Sequence, residues 1–134
     1  MHVFHRSGRN SFLPENPFIL LVDDDEASWR PLAELVRHAG FTSVAVGSAA
    51  DALACCRRRR PDILVTDLVM PRRDGRALAV RVRKRFPGVP IVLVTGQNLD
   101  HPDWIVPSGL FEKIFPKPLD FDRFITIIAR MMPA

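Results

Sequence analysis

Short apolar runs punctuate this chain, with amphipathic stretches between them. Phe18-Ile19-Leu20-Leu21-Val22, Ile63-Leu64-Val65 and Ile91-Val92-Leu93-Val94 are continuous and mostly β-branched or aliphatic, as in strands buried on both faces. Residues 41–46 predict a more exposed strand, and residues 112–115 a further one. The spacing predicts a helix over residues 26–39, with Leu32, Leu35 and Val36 as its apolar face and Gly40 as its stop. Pro31 removes one helical hydrogen bond there, which predicts a late start or a kink. Ser48 caps a second helix, with Asp51 three residues on as a weak capping box. That helix carries Ala52, Leu53 and Cys56 inward and ends before Pro61. A third spans 76–86, with Ala77, Leu78, Val80 and Val82 on its apolar side, and stops at Pro87-Gly88. Asp120 caps a last helix with Phe124, Ile127 and Ile128 at helical spacing.

Strands alternating with helices imply parallel pairing in an α/β domain. One connection breaks the rhythm. Residues 97–110 contain Pro102, Trp104, Pro107 and Gly109, which predicts a loop or one short helical turn. Residues 1–16 show no periodicity and predict a flexible tail, leaving 17–134 as the domain.

Composition narrows the class. At 134 residues and 47% hydrophobic, the chain suits one domain with a sizeable core. No apolar run approaches the roughly 18 residues that span a membrane, so no membrane partner is expected. The N-terminal residues lack the apolar centre of a secretory signal. Cys55 and Cys56 are adjacent within a helical pattern, which argues against a disulfide framework and for a reduced cytoplasmic setting. No spacing suits zinc. The formal charge is +4 and the pI about 9.8. The densest basic run, Arg57-Arg58-Arg59-Arg60, falls at a helix C-terminus, where cations favour the macrodipole. Without interleaved aromatics it reads as a solvated helix end, and nucleic acid is not an expected partner.

The candidate chemistry lies at strand ends. Asp23-Asp24-Asp25 follows the first predicted strand, Asp67 the third, Thr95-Gly96 the fourth and Lys117 the fifth. Each alone has an ordinary explanation: a cap, a turn, a surface charge. In a parallel sheet, however, these ends share one rim, where ligands bind. Clustered carboxylates repel one another and call for a cation. Mg²⁺ takes oxygen from one or two carboxylates, water and phosphate. A hydroxyl, a glycine amide and a lysine suit an incoming phosphoryl group, and an Asp carboxylate can itself become an aspartyl phosphate.

The segments LLVDDDE, VTDLVMPRRDG, IVLVTG and PKPL together resemble a receiver domain of a bacterial two-component response regulator, over roughly residues 17–132. The resemblance implies a flavodoxin-like (βα)₅ doubly wound parallel sheet, strand order 2-1-3-4-5, here with a degenerate fourth helix. It implies a single-domain phosphoacceptor without enzymatic turnover beyond Mg²⁺-dependent self-phosphorylation and autodephosphorylation. Asp67 is then the phosphoacceptor. Asp24, Asp67 and the Val69 carbonyl ligate Mg²⁺ directly, and Asp23 acts through water. Thr95 and the Gly96 amide hold phosphoryl oxygens, Lys117 pairs with the acids or the phosphoryl group, and Pro118 follows a cis peptide. The implied partners are a histidine kinase or phosphotransfer protein and a downstream protein that the sequence does not name.

Two features depart from the family. Prolines and Trp104 stand where a regular fourth helix belongs. Ile114 occupies the place of the usual aromatic switch, and strand alternation points neighbouring Phe115 the other way. The alternative chemistry is that of a haloacid-dehalogenase-like phosphatase, with Asp23 as nucleophile and Asp25 as acid; Glu26-Ala27 and the lack of a late acidic motif fit it poorly. A pure interaction module with an unused acidic pocket is the third reading.

Overall fold

The computed structural model describes residues 3–5, 17–69 and 74–132, and for residues 3–5 the backbone alone. In chain order the elements are β1 (Val3–His5), β2 (Phe18–Val22), α1 (Glu26–His38), β3 (Thr42–Val46), α2 (Ala49–Arg58), β4 (Ile63–Asp67), α3 (Gly75–Arg85), β5 (Ile91–Thr95), a 3₁₀ turn (Pro102–Trp104), β6 (Lys113–Pro116) and α4 (Phe121–Met131). One sheet runs β1-β3-β2-β4-β5-β6. Its last five strands are parallel. Numbered among themselves, they lie in the order 2-1-3-4-5, the flavodoxin-like arrangement.

Strand alternation builds two cores. Phe18, Leu20, Val22 and Leu64 face α2 and α3, packing on Leu53, Leu78 and Val82. Ile19, Leu21, Val65 and Val94 face α1 and α4, packing on Trp29, Val36, Phe124 and Ile128. Because both faces are covered, the central strands must be apolar throughout, which is why their runs are continuous in sequence.

Several expectations need correction. Residues 1–16 include β1, which pairs antiparallel with β3, Val3 opposite Ala45 and His5 opposite Ser43; the rest of that segment lies outside the described residues. β3 is buried at all five positions, not the more exposed strand its composition suggests, because β1 closes its outer edge. Helix α1 does not start late. Asp25 caps it through the Ala27 amide, and the Asp25 carbonyl accepts from the Ser28 and Trp29 amides. The first turn is thus formed before Pro31 withholds its donor. On α3 the inward face is Leu78, Ala79 and Val82, while Ala77 and Val80 are exposed. The degenerate fourth helix is a single 3₁₀ turn, Pro102–Trp104. Among the described residues no α-helix follows α3 on the α2/α3 side of the sheet, and Ile114 there remains 44% exposed. Phe115 points to the opposite face, edge-on to Phe124 with ring centroids 5.1 Å apart.

Candidate functional site

The parallel register delivers the C-terminal ends of β2, β4, β5 and β6 to one rim. Asp23 leaves β2 there and is buried. Its Oδ1 accepts from the Asp25 amide at 2.9 Å, which fixes the carboxylate against its own turn. Asp67 ends β4. Its Oδ1 accepts from the Leu68 amide at 2.7 Å, leaving Oδ2 turned towards Lys117. Behind it the buried Thr66 hydroxyl donates to the Asp67 carbonyl at 2.8 Å.

Lys117 follows β6 across the rim. Its Nζ lies 3.4 Å from Asp67 Oδ2, 3.7 Å from Asp23 Oδ2 and 3.2 Å from Ser28 Oγ. The peptide from Lys117 to Pro118 is cis, as the resemblance implied. These side chains line a small cleft floored by Trp29, Leu32 and Val94. Thr95 is buried, and its Oγ1 accepts from the Gln97 amide at 3.0 Å, so its hydroxyl proton remains to be donated. The Thr95 carbonyl accepts from the Lys117 amide at 2.9 Å, tying the two strand ends together.

The structure therefore brings Asp23, Asp67 and Lys117 into direct contact, with Thr95 beside them through the backbone. Asp24 is exposed and takes no part in those contacts. Gly96 is exposed too, and a Cβ there would meet only ordinary contact with Lys117. Val69 is exposed, and residues 70–73 lie outside the described residues.

Sequence reasoning missed three contributors. Ser28 is one; it precedes buried Leu32 by four residues, a spacing that places it on the same helix face. Thr66 is another, hidden inside an apolar run. Gly75 is the third. Its amide donates to the Leu68 carbonyl at 2.6 Å, and a Cβ there would overlap the Asp67 carbonyl oxygen. The start of α3 thus presses directly on the backbone that carries the acid. Asp74 caps that helix through the Arg76 and Ala77 amides. Burial works against its charge, but hydrogen bonds from Arg76 and Ala77 hold its pKa below the ordinary carboxylate value.

Among the described residues no three His, Cys, Asp or Glu side chains cluster closely enough to hold a metal by themselves. Two carboxylates do converge, on the Lys117 ammonium. Hard oxygens turned towards a cation are the donor type of Mg²⁺, which completes its octahedron with water and phosphate. The residues present fit such an ion.

The response regulator receiver domain family matches residues 19–129. This chain belongs to that family. The receiver is 30% identical over 113 residues to the DNA-binding transcriptional regulator NtrC of Escherichia coli K12, an alignment covering 84% of this chain and 24% of NtrC. It thus spans about a quarter of the length of that relative. A CheY-like receiver domain from Methylobacillus flagellatus superposes with a TM-score of 0.75 at 27% identity, covering 87% of this chain and 99% of the other. TrrA of Thermotoga maritima, solved in complex with Mg²⁺–BeF, shares the fold with a TM-score of 0.78 at 22% identity, over 87% of this chain and 99% of that one. The receiver family is one of phosphoacceptor signalling, and the phosphatase alternative has no support in these likenesses. Among the described residues no helix is long and apolar enough to cross a membrane.

Proposed function

We propose that Asp67 of this receiver accepts a phosphoryl group from a phosphohistidine on a histidine kinase or phosphotransfer protein in the cytoplasm. The observation that carries the reading is the Lys117 ammonium poised 3.4 Å from Asp67 Oδ2 at the end of the third parallel strand. An Asp67 oxygen attacks phosphorus, the P–N bond to the partner's imidazole breaks, and the imidazole leaves neutral if its other nitrogen carries a proton. Lys117 then turns a donor to the phosphoryl oxygens, joined by the Thr95 hydroxyl and the Gly96 amide. The carboxylates of Asp24 and Asp67 and the carbonyl of Val69 would hold Mg²⁺, with Asp23 acting through water. When bound, Mg²⁺ neutralises charge on the transferring group. Self-phosphorylation from small phosphodonors and hydrolytic loss of the phosphate use the same groups.

The signal leaves by residues 97–110. Ile114 offers no aromatic ring to turn, whereas Thr95 leads directly into this segment through Gln97. Neither Trp104 nor Ile105 joins the core on either face of the sheet. Ile105 is 68% exposed, and Trp104 lies under the Arg76 guanidinium at 5.3 Å. Arg76 Nη1 also donates to the Ile105 carbonyl at 2.9 Å, and Arg76 pairs with Asp74. The segment is thus fastened to the N-terminus of α3, next to the end of β4 that carries Asp67.

Incubation of the receiver with a panel of phosphorylated histidine kinases tests the reading. Transfer of label from at least one, lost in Asp67→Asn, is expected; label gained equally by Asp67→Asn overturns it.

A further inference from the structure

The Lys117 ammonium has three protons to donate, and three oxygens from three different elements meet it. Asp67 Oδ2 stands at 3.4 Å at the end of β4, Asp23 Oδ2 at 3.7 Å just past β2, and Ser28 Oγ at 3.2 Å in the first turn of α1. Ser28 is the nearest of the three and the only uncharged one. The geometry points to Ser28 as a positioning residue for phosphoryl transfer, one that aims Lys117 at the acceptor carboxylate. This inference rests on the reading of Asp67 and Lys117 given above.

The physical case concerns which direction the ammonium takes. A lysine side chain is long and carries much rotamer freedom, and Lys117 is about one-third exposed, so water competes for its donors. Two carboxylates attract it without fixing it between them. An acceptor on α1, on the far side from β6, pins the chain across the cleft. Ser28 has little freedom of its own. It is half-buried, and its amide is held in the helix by the Asp25 carbonyl at 3.0 Å. The order of release also favours the reaction. A neutral acceptor holds an ammonium less strongly than a carboxylate does. When a phosphoryl group arrives on Asp67, the proton given to Ser28 is the one most cheaply redirected to it.

Two measurements on the intact chain test this. The first follows the Lys117 side-chain NMR signals in the unphosphorylated protein. Ser28→Ala, which keeps a good helix former in α1, should move them, and Ser28→Thr, which keeps the hydroxyl, should leave them close to wild type. The second is the rate of phosphorylation from acetyl phosphate with Mg²⁺. Ser28→Ala should lower it roughly three- to tenfold, the range for losing one ordinary hydrogen bond, and Ser28→Thr should restore most of it. Ser28→Cys serves as a second, near-isosteric variant with a weak acceptor and should resemble Ser28→Ala. A slowed rate with unmoved Lys117 signals would show a merely structural role and overturn the inference, as would moved signals with an unchanged rate. A wild-type chain that takes no phosphate on Asp67 would overturn the acceptor reading, and the inference resting on it, while the NMR arm still reports whether Ser28 holds Lys117.

Discussion

Gly75 sets the start of α3 directly against the backbone of Asp67, the proposed acceptor. Its missing Cβ is what lets the helix start rest on the Asp67 carbonyl, and the neighbour it would strike is backbone, which cannot swing away. Gly75→Ala should therefore cost on the order of 1–3 kcal/mol, as overpacking does, and slow phosphorylation by displacing Asp67. An unchanged urea midpoint would contradict the close approach. A second residue-scale expectation concerns the thiols. Burial, reinforced by Cys55, pushes the Cys56 thiol up to about 11, and burial raises Cys55 as well. At pH 8 only about one Cys56 in a thousand is then thiolate, the reactive form. Both cysteines should react slowly with iodoacetamide in the folded chain and quickly in urea, read by intact mass. Rapid labelling of the folded protein would count against this packing. At this scale the sequence was legible where chemistry sat at strand ends. It was silent on Ser28, Thr66 and Gly75, whose roles come from proximity across the fold.

The start of α3 touches both the end of β4 and residues 97–110. Asp74 caps it and pairs with Arg76, and Arg76 in turn holds the backbone of residues 103 and 105. Asp74→Ala should destabilise the fold by about 0.5–2 kcal/mol at neutral pH, the usual worth of such a cap. The sign of its pH dependence follows from the lowered pKa. A carboxyl more acidic when folded contributes its stability above the unfolded value, about 3.9, and loses it as pH falls through the lower folded value. The gap between wild type and Asp74→Ala should thus be constant from pH 5 to 7 and narrow below about pH 4; a gap that widens in acid would refute the assignment. Arg76→Met should speed hydrogen exchange over residues 97–110 in the free protein, because the other arginine of α3 that reaches the segment, Arg83, holds it at the Leu110 carbonyl, at its far end. Exchange there unaffected by Arg76→Met would show that the fastening lies elsewhere. Element positions were largely readable from periodicity and capping residues. The inward face of α3 was not, because Ala77, Leu78, Ala79 and Val80 are four successive apolar residues that fit either helix phase.

Across the whole molecule the order of parallel strands puts acids, hydroxyl and lysine on a single rim, although they are scattered over almost 100 residues of chain. That convergence was foreseeable because continuous apolar runs demand a doubly covered sheet, and such a sheet gathers its strand ends. β1 was not foreseeable, since residues 1–16 show no alternation for pairing to be read from. The central claim is that Asp67 alone receives the phosphoryl group. Intact-protein mass spectrometry after incubation with acetyl phosphate and Mg²⁺, followed by hydroxylamine treatment, tests it most directly. The account predicts a single phosphate adduct, removed by hydroxylamine, formed by the wild type and missing in Asp67→Asn. An adduct of equal yield in Asp67→Asn would contradict it.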